Sequence, residues 1–331
     1  MKIHLQTITL KAAGALAALL LATAARAQTY TDISDPNAAS AAFYDPALGI
    51  SGSTVLGDYQ NQSGGNWVAS LYNNGSFTDI AMNAPGSEAG TTTPVAISGN
   101  TIFGTYNNNS DSFEYNLSTS TYTTLPALPS GYNGYVVGAS GDNILFAATG
   151  IYDGNPYAAV LNNGSFTVTA LNPPNPSAPG YIANGGLFGI DGNNIIGDAY
   201  DDNLTIQGFV FNNGVYTATV SDPNASGDTF ANAISGNLVG GYYSPSVGPT
   251  TGFLGNLQTG VYLDVKDPNA NPLTGFTAVT GISGTNVAGI YDVSNSRFGG
   301  FIVSSTTVPE PAVWTLLSAG AAALLGRRRS K

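Results

Sequence analysis

The chain of 331 residues has no cysteine, and its one histidine, His4, stands near the N-terminus. Without cysteine no disulfide can staple the fold, so a core must hold it, and about 280 residues between the two ends are enough for one. Beyond His4 the chain has neither His nor Cys, which removes Ser-His-Asp and Cys-His nucleophilic sites, ordinary zinc sites and haem ligation. Basic residues are nearly as scarce. From Gln28 to Gly326 only Lys266 and Arg297 face all twenty acidic residues, a net charge of −18. That imbalance argues against nucleic acid and anionic lipid as partners. Stretches with the helical 3.6-residue period are also lacking, which points to an all-β chain. Whatever chemistry remains falls to Asp, Glu, Tyr, Ser, Thr and Asn.

What is present begins with the ends. Lys2 and Lys11, an apolar stretch from Ala12 to Ala22, and small residues at Ala25 and Ala27 form the pattern that signal peptidase reads, with cleavage before Gln28. An uncleaved N-terminal anchor is the alternative, but the apolar stretch is short for a bilayer. At the other end, Ala312 to Gly326 is fifteen residues without a charge, followed by Arg327, Arg328, Arg329 and Lys331. A basic cluster after an apolar segment keeps that end cytoplasmic. The segment is shorter than the roughly 20 residues of a stable span, so it reads as a transient membrane anchor.

Val308-Pro309-Glu310-Pro311, the apolar run and the Arg cluster, in that order, resemble the PEP-CTERM sorting signal of Gram-negative bacteria. The resemblance implies recognition by an exosortase-type membrane protease, removal of the tail near Pro-Glu-Pro, and delivery to the cell surface or extracellular matrix. An ordinary C-terminal anchor is the other reading. The chain thus divides into a signal peptide (1–27), an exported domain (28–306) and a sorting segment (307–331).

Inside the exported domain one phrase recurs. It runs Gly49-Ile-Ser-Gly-Ser-Thr-Val-Leu-Gly-Asp-Tyr59 and returns at Ala96 to Tyr106, Gly138 to Phe146, Gly189 to Tyr200, Ala233 to Tyr243 and Gly281 to Tyr291. Its shared glycines, Gly52, Gly99, Gly141, Gly192, Gly236 and Gly284, are spaced by 47, 42, 51, 44 and 48 residues. Six units of that length point to a propeller or solenoid. The marker glycine suits the positive φ of a tight hairpin turn. A second hairpin follows at Asn73-Asn74-Gly75, Asn162-Asn163-Gly164 and Asn212-Asn213-Gly214, each between alternating apolar strands. Four antiparallel strands per unit describe propeller blades.

The sixth unit ends at Arg297 to Val303 without a fourth strand, and Tyr30-Thr-Asp-Ile33 has the text it lacks. The predicted fold is a six-bladed β-propeller of four-stranded blades whose last blade is closed by the N-terminal strand; an open β-solenoid is the alternative. The units also resemble extracellular HAF-type repeats, through Gly208-Phe209-Val210, Gly252-Phe253-Leu254 and Gly300-Phe301-Ile302 with a later Gly-Ile-Ser. That resemblance implies a propeller-like fold and no particular activity.

In such a propeller the loops after the second and fourth strands share one face, and here they are the long, acidic ones, with Asp35, Asp45, Asp58, Asp111, Asp153, Asp198, Asp201, Asp202, Asp222, Asp228, Asp267 and Asp292. That face is the better binding surface. Asp-Pro-Asn-Ala at Asp35, Asp222 and Asp267 reads as a turn closed by its own side chain. Calcium takes carboxylate and carbonyl oxygens, and the densest set is Asp198, Asp201 and Asp202; no other cofactor is indicated. Tyr59, Tyr106, Tyr152, Tyr200, Tyr243 and Tyr291 end second strands in all or nearly all units, where their rings either stack on sugar, making extracellular polysaccharide a partner, or pack between blades. Glycoside cleavage would need two carboxylates at a set separation. Only Glu88, Glu114 and Glu310 are glutamates, and no pair departs from the repeat. The reading is therefore a non-catalytic surface or matrix propeller, with a secreted carbohydrate-active enzyme using Asp pairs as the alternative.

Overall fold

The computed structural model describes residues 29–38, 41, 43–60, 65–171, 186–201, 203–271, 275–294 and 297–304. Strand β1 (Thr29–Ile33) opens the described chain. Blade 1 holds β2 (Phe43–Ser51), β3 (Thr54–Gln60), β4 (Val68–Asn73) and β5 (Ser76–Ala81). Blade 2 holds β6 (Thr93–Ser98), β7 (Thr101–Tyr106), β8 (Asp111–Asn116) and β9 (Thr121–Thr124). Blade 3 holds β10 (Tyr132–Ser140), β11 (Asn143–Gly150), β12 (Pro156–Asn162) and β13 (Ser165–Ala170). Blade 4 holds β14 (Leu187–Asp191), β15 (Asn194–Tyr200), β16 (Ile206–Asn212) and β17 (Val215–Val220). Blade 5 holds β18 (Ala225–Ser235), β19 (Leu238–Pro245), β20 (Thr251–Asn256) and β21 (Val261–Val265). Blade 6 has β22 (Thr277–Ser283), β23 (Asn286–Ser294) and β24 (Arg297–Ser304). Its fourth place is taken by β1, in the order β1-β24-β23-β22.

The chain is a six-bladed β-propeller, closed as its sequence predicts. Thr29 to Ile33 pair antiparallel with Ser304 to Gly300 over five residues, and Ile33 is buried. Pairing the first described strand with the last brings the two ends of the described chain together, and the edge of β24 does not stay open.

The marker glycines all have φ near +60°, which a Cβ would make costly. They place a one-step reversal between the first and second strands of each blade. The residue just before each glycine then closes a ring. Gly99 donates its N–H to Ser51 Oγ (2.8 Å), Gly141 to Ser98 (2.9 Å), Gly192 to Ser140 (3.2 Å), Gly236 to Asp191 Oδ2 (2.6 Å), Gly284 to Ser235 (3.3 Å) and Gly52 to Ser283 (2.8 Å). Each blade is thus tied to the next by the same bond around the full circle, and blade 6 to blade 1 across a separation of 231 residues.

Every first strand also shifts register at a matching place, at Asp45/Gly49, Pro94/Ala96, Val136/Gly138, Leu187/Gly189, Ala231/Ala233 and Val279/Gly281, and β18 shifts a second time at Ala225/Thr229. A bulge adds bend and twist to its strand. Here it sets a small residue against the central axis in all six blades. A Cβ on Gly281 would lie 2.9 Å from the Ile50 nitrogen, and one on Gly138 would lie 3.3 Å from the Gly189 Cα. Backbone therefore meets backbone around the axis. The cavity left there is about 80 Å3, lined by these residues and their neighbours, which include Asn232 and Thr280. At roughly 10–15 Å3 per water it has room for a few waters and not for a sugar chain.

The core is divided among the blade interfaces. Six buried apolar clusters occur among the described residues, each shared by two adjacent blades. In three blades a phenylalanine of the third strand lies over a glycine of the second: a Cβ on Gly104 would come within 2.5 Å of Phe113 Cζ, on Gly197 within 2.7 Å of Phe209, and on Gly289 within 2.3 Å of Phe301. The ring fills what the missing side chain leaves, and truncating such a buried ring typically costs about 3–5 kcal/mol.

Candidate ligand-binding face

Turns between first and second strands and between third and fourth strands are short and lie at one end of the ring. Connections after second and fourth strands lie at the other. Carboxylates gather at this long-loop end, but most are engaged by the fold itself. The three Asp-Pro-Asn turns form as predicted. Asp35, Asp222 and Asp267 each accept, at 2.8 Å, the N–H of the Asn two residues on. All three aspartates are buried.

The asparagine of these turns has a second role that local sequence does not announce. Asn37 Nδ2 donates to Asp79 Oδ2 (2.6 Å), and Asn269 Nδ2 donates to Asp32 Oδ2 (2.7 Å). Asp79 and Asp32 sit in the fourth strands of blades 1 and 6. The turn that enters a blade beside its innermost strand is thereby pinned to its outermost strand.

Tyr59 and Tyr243 finish the same arrangement. Tyr59 OH donates to Asp79 Oδ2 (3.0 Å) and Tyr243 OH to Asp264 Oδ1 (2.9 Å). Burial, then the adjacent carboxylate, raises both phenols above their ordinary range, so they stay protonated donors. Burial pushes Tyr291 up to about 12. Tyr59, Tyr106, Tyr243 and Tyr291 are buried, which takes their ring faces away from any sugar and settles these four on packing within the wall of the ring. Tyr200 differs, because Ala199 is the residue seven past the marker glycine in blade 4 and is the buried one. Tyr200 is half-buried, one position later on the strand. Tyr152 lies past the end of β11 and is 93% exposed.

Of the three aspartates considered for calcium, Asp198 and Asp201 are each taken up by hydrogen bonds of the fold. Asp198 is 1% exposed, and its Oδ1 accepts the N–H of Ala231 in the next blade at 2.8 Å. Burial raises its carboxyl to about 7, with that N–H opposing. Asp201 turns back on its own loop, accepting from Asn203 N, Thr205 N and Gln207 Nε2. Asp202 lies outside the described residues, among which no three His, Cys, Asp or Glu side chains converge. The cleavage residues Ala25, Ala27 and Gln28, the motif Val308 to Pro311 and the cluster Arg327 to Arg329 also lie outside them.

Blade 1 holds a feature the repeats did not reveal. Asp45 and Asp58 are direct cross-strand partners. Asp58 is 4% exposed. Burial, and then the charge of Asp45, raises it well above the usual carboxylate range. In blade 4 the equivalent Asp198 has the Ala231 N–H. In blade 2, the neighbour of blade 1, that place belongs to Pro94, which has no N–H to give. Two like carboxylates directly opposite favour holding a proton between them.

Aromatic side chains form the rest of the face. Phe43 and Trp67 have ring centroids 6.2 Å apart, and Phe276 and Phe298 6.0 Å apart. Tyr242 stacks on Phe230 at 4.5 Å and meets Phe276 edge-on at 5.2 Å. Of these rings only Tyr242 belongs to the repeated phrase, so recurrence along the chain does not mark the others.

No protein-family model matches the chain, and no curated protein matches it. Among solved structures it is similar to TolB from Acinetobacter baumannii, at 14% identity and a TM-score of 0.42, over 72% of this chain and 60% of that one. It is similar to AofleA from Arthrobotrys oligospora, at 12% identity and a TM-score of 0.47, over 86% and 87% of the two chains. A putative TolB from Agrobacterium tumefaciens aligns at 11% identity and a TM-score of 0.42, over 67% and 75%. This chain thus spans less than two thirds of the first of them.

Proposed function

We propose that the chain is an exported surface or matrix propeller that binds extracellular polysaccharide at its long-loop face without cleaving it, after sorting by an exosortase-type protease. One observation carries the binding role: the axis leaves a cavity of only about 80 Å3 and the glycine-turn end repeats one bond around the ring, whereas the long-loop end varies from blade to blade in charge and aromatic content. A surface that departs from its own repeat is where a ligand would be distinguished. Support for a non-catalytic role is that Asp35, Asp198, Asp201, Asp222 and Asp267 are occupied by backbone N–H groups of turns and blade contacts. Support for sorting comes from Val308-Pro309-Glu310-Pro311, the apolar run and Arg327 to Arg329.

The test has two parts. Glycan binding is measured with and without calcium, and a flat response in both conditions would leave only a structural role. In a Gram-negative host with an exosortase, full-length protein is expected in the surface fraction and a chain lacking 308–331 elsewhere; the same distribution for both would refute sorting by the tail.

The Asp45–Asp58 pair supports a second reading, a secreted carbohydrate-active enzyme. Its raised carboxyl is the kind of group a general acid needs. Release of reducing sugar by the protein, abolished in Asp58→Asn, would establish it; no release from any polymer the protein binds would end it.

A further inference from the structure

We infer that blades 6 and 1 carry two equivalent sugar-stacking platforms, Phe276 with Phe298 and Phe43 with Trp67, for one neutral polysaccharide chain. The inference rests on the polysaccharide-binding reading and locates it.

The two pairs occupy the same register. Phe43 pairs with Gln60 of the second strand, and Trp67 of the third-strand side lies beyond it, next to Val68, the partner of Tyr59. In blade 6, Asp292 donates its N–H to the Phe276 carbonyl and pairs with Phe298. Each platform is thus an aromatic at or just before the start of the first strand, a polar residue of the second and an aromatic next to the start of the third. Blade 3 has Asn133 and Pro156 at the flanking places. The buried tyrosines Tyr59 and Tyr291 come one residue earlier on the same strands and face the other way.

Packing does not account for the outer rings. Phe43 is 52% exposed and Phe298 39% exposed, at positions where the repeat itself requires no aromatic. Exposed apolar rings placed together mark a binding surface more often than a fold requirement. The flat rings suit the apolar C–H faces of a pyranose, while polar groups at their edges suit its hydroxyls. At the edge of the blade 6 platform, Asp292 Oδ1 is buried and has no hydrogen-bond partner among the described residues. The platforms are adjacent, because Arg297, next to Phe298, donates to the Ala38 carbonyl in the turn that leads to Phe43. The span from Gln28 to Gly326 carries a net charge of −18, so a polyanionic glycan would be repelled and a neutral one would not.

Trp67 reports on its own site once Trp314 is removed, since these are the two tryptophans of the chain. Full-length Trp314→Phe protein is titrated with cellohexaose, dextran and hyaluronan, followed by Trp67 emission and calorimetry. A neutral glucan should shift the emission to the blue and saturate, and Phe43→Leu and Phe298→Leu, which keep apolar volume, should each weaken binding roughly tenfold. Melting curves establish that each variant folds; if one does not, the other variant and the parent emission shift decide. Glucan binding with unmoved emission and unchanged affinity in both variants overturns the platforms and leaves the binding face standing. Binding of no neutral glycan overturns both, and saturable binding of hyaluronan overturns the neutral-chain assignment.

Discussion

The two ends of the ring solve different problems with the same strands. At the glycine-turn end, six marker glycines and the Ser or Asp before each repeat one bond, and what holds blade 1 to blade 2 also holds blade 6 to blade 1. At the long-loop end the equivalent positions diverge. Asp58, Asp198 and Tyr242 stand at the same step of their blades, yet one faces an aspartate, one accepts a backbone N–H and one stacks on phenylalanine. Closure needs sameness, because every interface must turn the chain by the same angle. Recognition needs difference, and the loops are free to supply it once the other end fixes the ring.

The comparison breaks most severely if the ring is opened. Deleting 29–33 removes five register pairs and the buried Ile33, leaving β24 an open edge, and should lower Tm by more than about 10 °C. A melt within two or three degrees of the parent, on the order of a surface substitution, would mean that closure contributes little. Next in size is the axis. Gly281→Val forces a side chain against the Ile50 backbone and should cost about 3 kcal/mol in urea unfolding; an unchanged midpoint would show that the inner strands can move apart.

Asp198 sharpens the comparison at the long-loop end. Its folded carboxyl titrates near 7 while an unfolded aspartate titrates near 3.9, so between those values the native state keeps a proton that the unfolded chain has released. Stability from this group is therefore full below about pH 4, declines as pH rises towards 7 and is level above. Asp198→Asn keeps an oxygen for the Ala231 N–H and cannot ionise. It should melt with the parent near pH 4 and a few degrees above it at pH 8, by calorimetry; identical curves at both pH values would show that Asp198 ionises freely in the fold. The smallest effect belongs to the glycine-turn end. Ser283→Ala leaves an exposed N–H to water and should cost about 0.5–1 kcal/mol, and Ser98→Ala the same, since the bonds are equivalent. Unequal costs would show that the ring is not mechanically uniform.

Much of this architecture is legible in residue order, because it depends on local chemistry. Positive φ at the marker glycines, Asn-Gly hairpins and Asp-Pro-Asn turns are settled within a few residues, and their recurrence counts the blades. The missing fourth strand of the last unit and the matching text at Tyr30 to Ile33 even revealed a contact between the chain ends. Reading the tyrosines was harder, since one extra residue before Tyr200 turns it to the other face of its strand, and Tyr152 falls beyond its strand altogether.

What only the tertiary structure decided is which side chains meet through space. An aspartate in a long loop has the same formal charge whether it faces water, an N–H or another aspartate. Asp198 and Asp58 occupy the same step of the repeat, and it is the adjacent blade, with Ala231 in one case and Pro94 in the other, that separates them. Likewise, four tyrosines suited to sugar by their spacing are buried, while Phe43 and Phe298, outside the repeated phrase, are left exposed on the adjacent blades 1 and 6. Spacing along the chain sets the turns; burial depends on the neighbour that arrives from a distant part of it.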